Sequence, residues 1–253
     1  MNGPPKIFDR KLYAYRRQRA LGTDFLVREA AMQIAERLGT VNRKFERGLD
    51  LCSRATAFEL FSGAARSWIR MRLAGLEGDL VGDEEALPFA KRSFDVIISV
   101  LSLHAVNDLP GTLLQVRAAL APDGLFMAAM LGGETLKELR EAFATAEAEI
   151  LGGASPRVAP FADLRDLGAL LQRAGFALPV TDIERTIARY QDFSGLVRDL
   201  RALGETNVLV GRRPTLLRRD VLSATAAEYG RLLHNARIPA TFDTIYLAGW
   251  AAR

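Results

Sequence analysis

The sequence predicts an α/β fold, a mostly parallel sheet flanked by helices. Three observations predict it. "GLDLC" (residues 48–52) is a short apolar strand that ends on an acid-bearing step at Asp50 and runs straight into a helical segment, which is how nucleotide-binding α/β domains open. "FDVIISVLSL" (residues 94–103) is an unbroken apolar run, the pattern of a strand buried on both faces. After it, Asp108 and Pro110 open an amphipathic helix, "APDG" makes a turn, and "LFMAAML" (residues 125–131) is another buried strand. Strand, helix, turn and strand in that order form a right-handed crossover unit.

The remaining elements follow in chain order. Thr23 is placed to cap a helix whose face carries Leu26, Ala30, Ile34 and Leu38, and Gly39 stands where that helix stops. Beyond the crossover, "ETLKELREAFATAEAEI" reads as a helix of mixed charge, followed by the loop "LGGASPRVAP". "FADLRDLGALLQRAGF" is a helix closed by Gly175. "LPVTDIERTIARY" reads as a strand near the sheet edge and "ATFDTIYLAGWAA" as its partner, with helices "FSGLVRDLRALG" and "LRRDVLSATAAEYGRLL" between them. The segment from Phe61 to Asp83 is short for a full helix, strand and helix.

With 253 residues, 49% hydrophobic and 25% charged, the chain suits one domain with additions. Its 34 Lys+Arg against 30 Asp+Glu give a net charge of +4, far from the clustered basic stripe of a nucleic-acid binder. Lys6, Arg10, Lys11, Arg16, Arg17 and Arg19 interleave with Tyr13 and Tyr15, but such a stretch reads as a solvated helix face, so no nucleic-acid partner is expected. One cysteine excludes an internal disulfide, and no Cys/His cluster has metal-ligand spacing, so no metal is expected. No apolar run reaches the length of a membrane span, and the N-terminus lacks a signal-peptide core. A cytoplasmic location is expected, with the mitochondrial matrix as the alternative that the Arg-rich start suggests.

The motifs "GDEEALPF", "SVLSLHAVNDLP", "LAPDG", "LGGETLKELR", "GGASPRVAPFADLRDLGALLQRAGF" and "PATFDTIYLAGW" stand in one order along most of the chain. That series resembles the class I S-adenosylmethionine (SAM) methyltransferases. Within them it resembles the branch holding the fifth assembly factor of mitochondrial complex I, its alphaproteobacterial relatives, and the malonyl-carrier-protein methyltransferase of biotin synthesis. The resemblance implies a Rossmann-like sheet of seven strands, the last ones antiparallel, with a helical lid inserted before the final strand. It divides the chain into an N-terminal helical segment (1–47), a core (48–190), the lid (191–233) and the final strand (234–253).

The candidate cofactor residues lie along the carboxyl edge of that sheet. After Asp50, the turn that should be glycine-rich carries Cys52, Arg54 and Thr56, where the fold needs special backbone angles and close approach of the main chain to a ligand. Arg54 would point across the space of the methionine part of SAM, unless it pairs with the cofactor carboxylate. The acid that should close the second strand and hold the ribose hydroxyls is missing, and Glu77 is the stand-in, with Asp79 behind it. By resemblance, Asp83 meets the adenine amino group, Leu87 lines the adenine slot, and Ser99 belongs to the same site. SAM binding is therefore expected to be weak or absent.

His104 lies just past the central strand and is the catalytic candidate, the alternative being a helix-entry histidine bonded to nearby backbone. His234 reads as a loop residue. Gly132, Gly133 and Thr135 open a helix and could cradle an anion, or could simply start that helix. Three functions remain open: a noncatalytic protein-binding or assembly factor, an active SAM-dependent methyltransferase, and an arginine-modifying assembly factor of respiratory complex I. The first is expected, with a protein partner bound through the lid, Arg157 and residues 193–233.

Overall fold

A computed structural model describes residues 5–20, 25–75 and 78–252. Before the sheet come helices α1 (Arg10–Gln18) and α2 (Phe25–Gly39). The first half then runs β1 (Phe45–Leu51), α3 (Ala55–Phe61), β2 (Ala65–Arg72), β3 (Leu80–Val81) and β4 (Phe94–Val100). The second half is α4 (Leu109–Ala119), β5 (Leu120–Gly132), α5 (Lys137–Leu151), α6 (Leu164–Arg173), β6 (Phe176–Tyr190), α7 (Phe193–Leu203), α8 (Arg219–Gly230) and β7 (Ile238–Ala251). The sheet has seven strands in the order β3-β2-β1-β4-β5-β7-β6. β7 runs antiparallel to both β5 and β6, and the pairs from β3 through β5 are parallel.

Local chemistry sets the element ends. Asp108 caps α4 by accepting from the Gly111 amide, with Pro110 in the first turn, and Asp163 and Asp192 cap α6 and α7 in the same way. Gly175, at φ +81°, takes the left-handed turn after α6 that a side chain would strain. Thr23, read as the cap of α2, lies outside the described residues.

Two apolar layers sandwich the sheet. On one face α2, α5, α7 and α8 bring Leu26, Ile34, Leu139, Leu196 and Tyr229 against Val96, Ile98 and Phe242. On the other, α4 and α6 bring Leu113, Val116, Leu167 and Leu171 against Leu49, Ile97 and Phe126. The apolar run of β4 is buried because both layers close on it. Among the described residues no helix separates β2 from β3, which accounts for the short segment there.

Candidate functional site

Strand order reverses between β1 and β4, and an open α/β sheet holds its ligands outside the carboxyl ends of the strands at such a point. Side chains of α1 lie across that edge. Arg10, Tyr13 and Arg17, three and four positions apart, share one helix face. Arg17 donates to the carbonyls of Cys52 (3.0 Å) and Leu101 (2.5 Å), the residues that immediately follow β1 and β4. Both carbonyls belong to residues in left-handed backbone, Cys52 at φ +59° and Leu101 at φ +50°, so one guanidinium clamps two strained turns. Ser53 joins the same turns, since its hydroxyl accepts from the Val100 amide (2.9 Å).

Arg10 donates to the Ala105 carbonyl, to Asp83 (2.9 Å) and to Glu84, which is fully buried and also accepts from Ser102. Tyr13 is buried against His104 at a ring separation of 6.2 Å. Nε2 of His104 is 3.0 Å from Glu205, a residue of the connection between α7 and α8, and 3.5 Å from the Tyr13 hydroxyl. Nδ1 of His104 is buried without a partner among the described residues, and the ring also packs on Phe161. Burial pushes the Glu205 carboxyl up, but the His104 ring, Arg17 and Tyr13 outweigh it and hold Glu205 below the usual glutamate range. Burial likewise pushes the Tyr13 hydroxyl and the Cys52 thiol up, which leaves the thiol poorly suited to act as a nucleophile.

The residues singled out in the sequence fall into two groups. Asp50, Cys52, Arg54, Asp83 and His104 converge on this edge, but only Cys52 among the three expected glycine positions uses a left-handed angle. Arg54 is extended (φ −74°) at the start of α3, and its side chain reaches the carbonyls of Ala20, Ala202 and Leu203. Thr56 is exposed in the first turn of α3, where a side chain costs nothing. Leu87 packs beside α4, its amide bonded to Gln115. Ser99 is buried inside β4, facing Ala128 on β5, with a hydroxyl that has no partner among the described residues. Glu77 lies outside the described residues, and Asp79 is occupied by Arg70.

What closes the second strand is Arg72. It is buried and pairs with the fully buried Asp50 at 2.7 Å, while its Nε and Nη2 have no partner among the described residues. The basic face of the N-terminus, expected to be solvated, instead turns Arg10, Tyr13 and Arg17 inward, because each finds a carboxylate, a ring or a carbonyl there. The alternation of these three at helical spacing was the available signal. Glu205 had none, since its partner His104 is 101 positions away.

The helix start at Gly132 and Gly133 meets an anion of the chain's own: the Glu134 amide donates to Asp243, which also pairs with Arg185. Arg157, expected at a partner surface, donates to the buried Glu147 at 2.5 and 2.8 Å and lies over Phe143. His234 sits in a turn, bridged to Arg237. No described helix is long and apolar enough to cross a membrane, and no described group of three His, Cys, Asp or Glu residues has the arrangement of a metal site.

Residues 15–179 match the methyltransferase-domain family. The chain belongs to that family. This methyltransferase-domain protein is 38% identical over 265 residues to the protein named arginine-hydroxylase NDUFAF5, mitochondrial, of Mus musculus, covering 96% of the chain and 77% of the relative. It is 40% identical over 168 residues to the malonyl-acyl-carrier-protein O-methyltransferase of Laribacter hongkongensis, covering 66% and 54%. Among solved structures, the YcgJ protein of Bacillus subtilis superposes with a TM-score of 0.58 at 16% identity, covering 89% of this chain and 99% of that one. The Haemonchus contortus phosphoethanolamine N-methyltransferase 2 in complex with SAM gives 0.51 at 13%, covering 95% and 57%. At such identities the methyltransferase-domain protein shares their fold.

Proposed function

We propose that this methyltransferase-domain protein is an assembly factor that binds a protein partner and does not transfer methyl groups. The observation that carries the reading is the Arg17 clamp on Cys52 and Leu101, which places one of the chain's own cations where a cofactor's main-chain contacts belong. The residues present do not fit SAM. Its ribose diol would find a guanidinium at the end of β2 in place of a carboxylate, and the carbonyls after β1 and β4 are already taken by Arg17. Further support comes from similarity along 96% of the chain to proteins of the NDUFAF5 name, whose branch the sequence motifs already resembled. The lid helices α7 and α8 are the partner surface in this reading.

Titration calorimetry with SAM is expected to give no measurable heat, whereas micromolar affinity would overturn the reading in favour of an active methyltransferase. The glycine replacements can be ranked from the geometry. Cys52→Gly relieves a left-handed strain of about 1–2 kcal/mol but empties a buried side chain, and Thr56→Gly only weakens α3. The triple variant with Arg54→Gly is therefore expected to stay blind to SAM, because Arg17 and Arg72 remain. Recovery of binding in that variant would place the defect in the loop alone.

A second reading, an arginine-modifying enzyme, is favoured by the similarity to the proteins named arginine-hydroxylase NDUFAF5. Mass spectrometry of copurified partners separates the two: an arginine that gains one oxygen only when this protein is present supports the enzyme, and unmodified partners support the binding factor.

A further inference from the structure

β6 (Phe176–Tyr190) closes one side of the sheet, and no described strand pairs with its outer edge. Its odd-numbered residues turn their backbone to that edge. Opposite Ile187 and Arg185 on β7 stand Thr241 and Asp243, whose amides point away to Glu138 and Thr135, so these cross-strand pairs exchange no hydrogen bonds within the sheet. Ile183, in the same alternation, gives its amide to the carboxylate of its neighbour Asp182 (2.9 Å) in place of a strand. Side chains follow the same period of two: Ile183 (40% exposed), Arg185, Ile187 (49% exposed) and Arg189 share one solvent-facing side. A long free edge that carries exposed isoleucines is a template for another strand.

We infer that β6 pairs antiparallel with β6 of a second copy, about a two-fold axis at Thr186, so that two sheets join into one. Around such an axis each residue meets the one equally far on the other side of the centre. With the centre at Asp182, Glu184 or Arg185, that residue faces its own copy; at Ile183, Asp182 faces Glu184; at Ile187, Arg185 faces Arg189. Each of these places like charges directly opposite, which destabilises a sheet. Centred on Thr186, Asp182 meets Tyr190, Ile183 meets Arg189, Glu184 meets Ala188 and Arg185 meets Ile187. No like charges then stand opposite, and each exposed isoleucine is covered by an arginine stem. Charges that oppose every slipped pairing therefore select one register, a self-complementarity that points to a second copy and not to an unrelated strand. The pairing is independent of the partner-binding reading and of the SAM site.

The test measures the oligomeric state of the full chain by light scattering and its register by cysteine cross-linking. The wild type is expected to be a dimer at tens of micromolar. Ile187→Arg, which sets arginine against Arg185 twice, should weaken it about tenfold, whereas Ile187→Glu should leave it intact or tighten it. Position 187 is exposed, and an unchanged circular dichroism spectrum checks that both variants stay folded. The native Cys52 is buried, so the wild type gives the cross-linking background. Thr186 would face its copy in a pair without hydrogen bonds, where side chains lie closest, so Thr186→Cys should form a disulfide-linked dimer under mild oxidation. Glu184→Cys and Ala188→Cys should each stay unlinked alone and link when mixed. A monomeric wild type, equal weakening by both charged variants, or absence of the Thr186→Cys link would overturn the proposal. So would linking of Glu184→Cys or Ala188→Cys alone, or a dimer in which β6 amides exchange with deuterium as fast as in the monomer.

Discussion

Arg72→Met is expected to cost about 3–5 kcal/mol of stability at neutral pH, because it leaves the carboxylate of Asp50 buried and without its ion-pair partner. Burial already raises the Asp50 carboxyl above the usual aspartate range, with Arg72 and Ser53 opposing it. The sign of the pH dependence follows. A carboxyl whose folded pKa is raised binds its proton more tightly in the native state, so its contribution is fully present below about pH 4 and is lost as pH rises through the folded value. Removing Arg72 raises that value further, and the deficit should shrink as the medium is made acid. Urea unfolding at neutral and acid pH measures this. The double variant Arg72→Met with Asp50→Leu should recover most of the loss, as replacing both members of a buried pair by apolar groups commonly does. A pH-independent loss, or a double variant no better than the single one, would show that Arg72 contributes packing and not pairing.

Arg157→Met is expected to have an effect of similar size, at about 3 kcal/mol, since Glu147 is fully buried but keeps its hydrogen bonds from Ser155. Burial pushes Glu147 up, yet the Ser155 and Arg157 hydrogen bonds outweigh it and hold the carboxyl below the usual glutamate range. In the wild type this pair therefore stabilises above about pH 4 and its contribution is lost as pH falls through the depressed folded value. Without Arg157 part of the opposition to burial is lost, so wild type and variant should differ most at neutral pH and converge in acid. A difference in unfolding midpoint that is the same at both pH values would rule out the pairing. Loss of a copurifying partner in this variant can be read as a lost contact only if the fold survives. Arg157→Lys, which keeps the charge and loses the paired donors, is the gentler probe.

Five of the strands were legible because their signals are local, whereas β2 and β3 were not read from the residues. The apolar run of β4, the Asp108 and Pro110 start of α4 and the Gly175 stop of α6 each announce an element from neighbouring residues alone. The site was legible only in part. Asp50 and His104 stand out through their position after apolar strands, but the meaning of Arg10, Arg17 and Arg72 depends on what each meets in space. Arginine in a sequence reads as solvent-facing by default, and here three of them are drawn inward by carboxylates and carbonyls. The loop after β1 also taught a narrower rule than the pattern suggests: one residue, Cys52, bears the unusual backbone angle, while Arg54 and Thr56 sit in ordinary conformations.

The contacts of α1 have a consequence for the order in which the molecule assembles. Arg10 reaches Ala105 and Arg16 reaches Asn207, partners 95 and 191 positions away, so the docking of α1 is complete only once most of the chain has been made. On the ribosome, where the N-terminus emerges first, this helix must wait while the sheet and the lid form behind it. Its amides are expected to exchange with deuterium sooner than those of β4, as befits a segment held mainly by late, long-range contacts. A helix synthesised ahead of the whole sheet is then among the last elements to find its place.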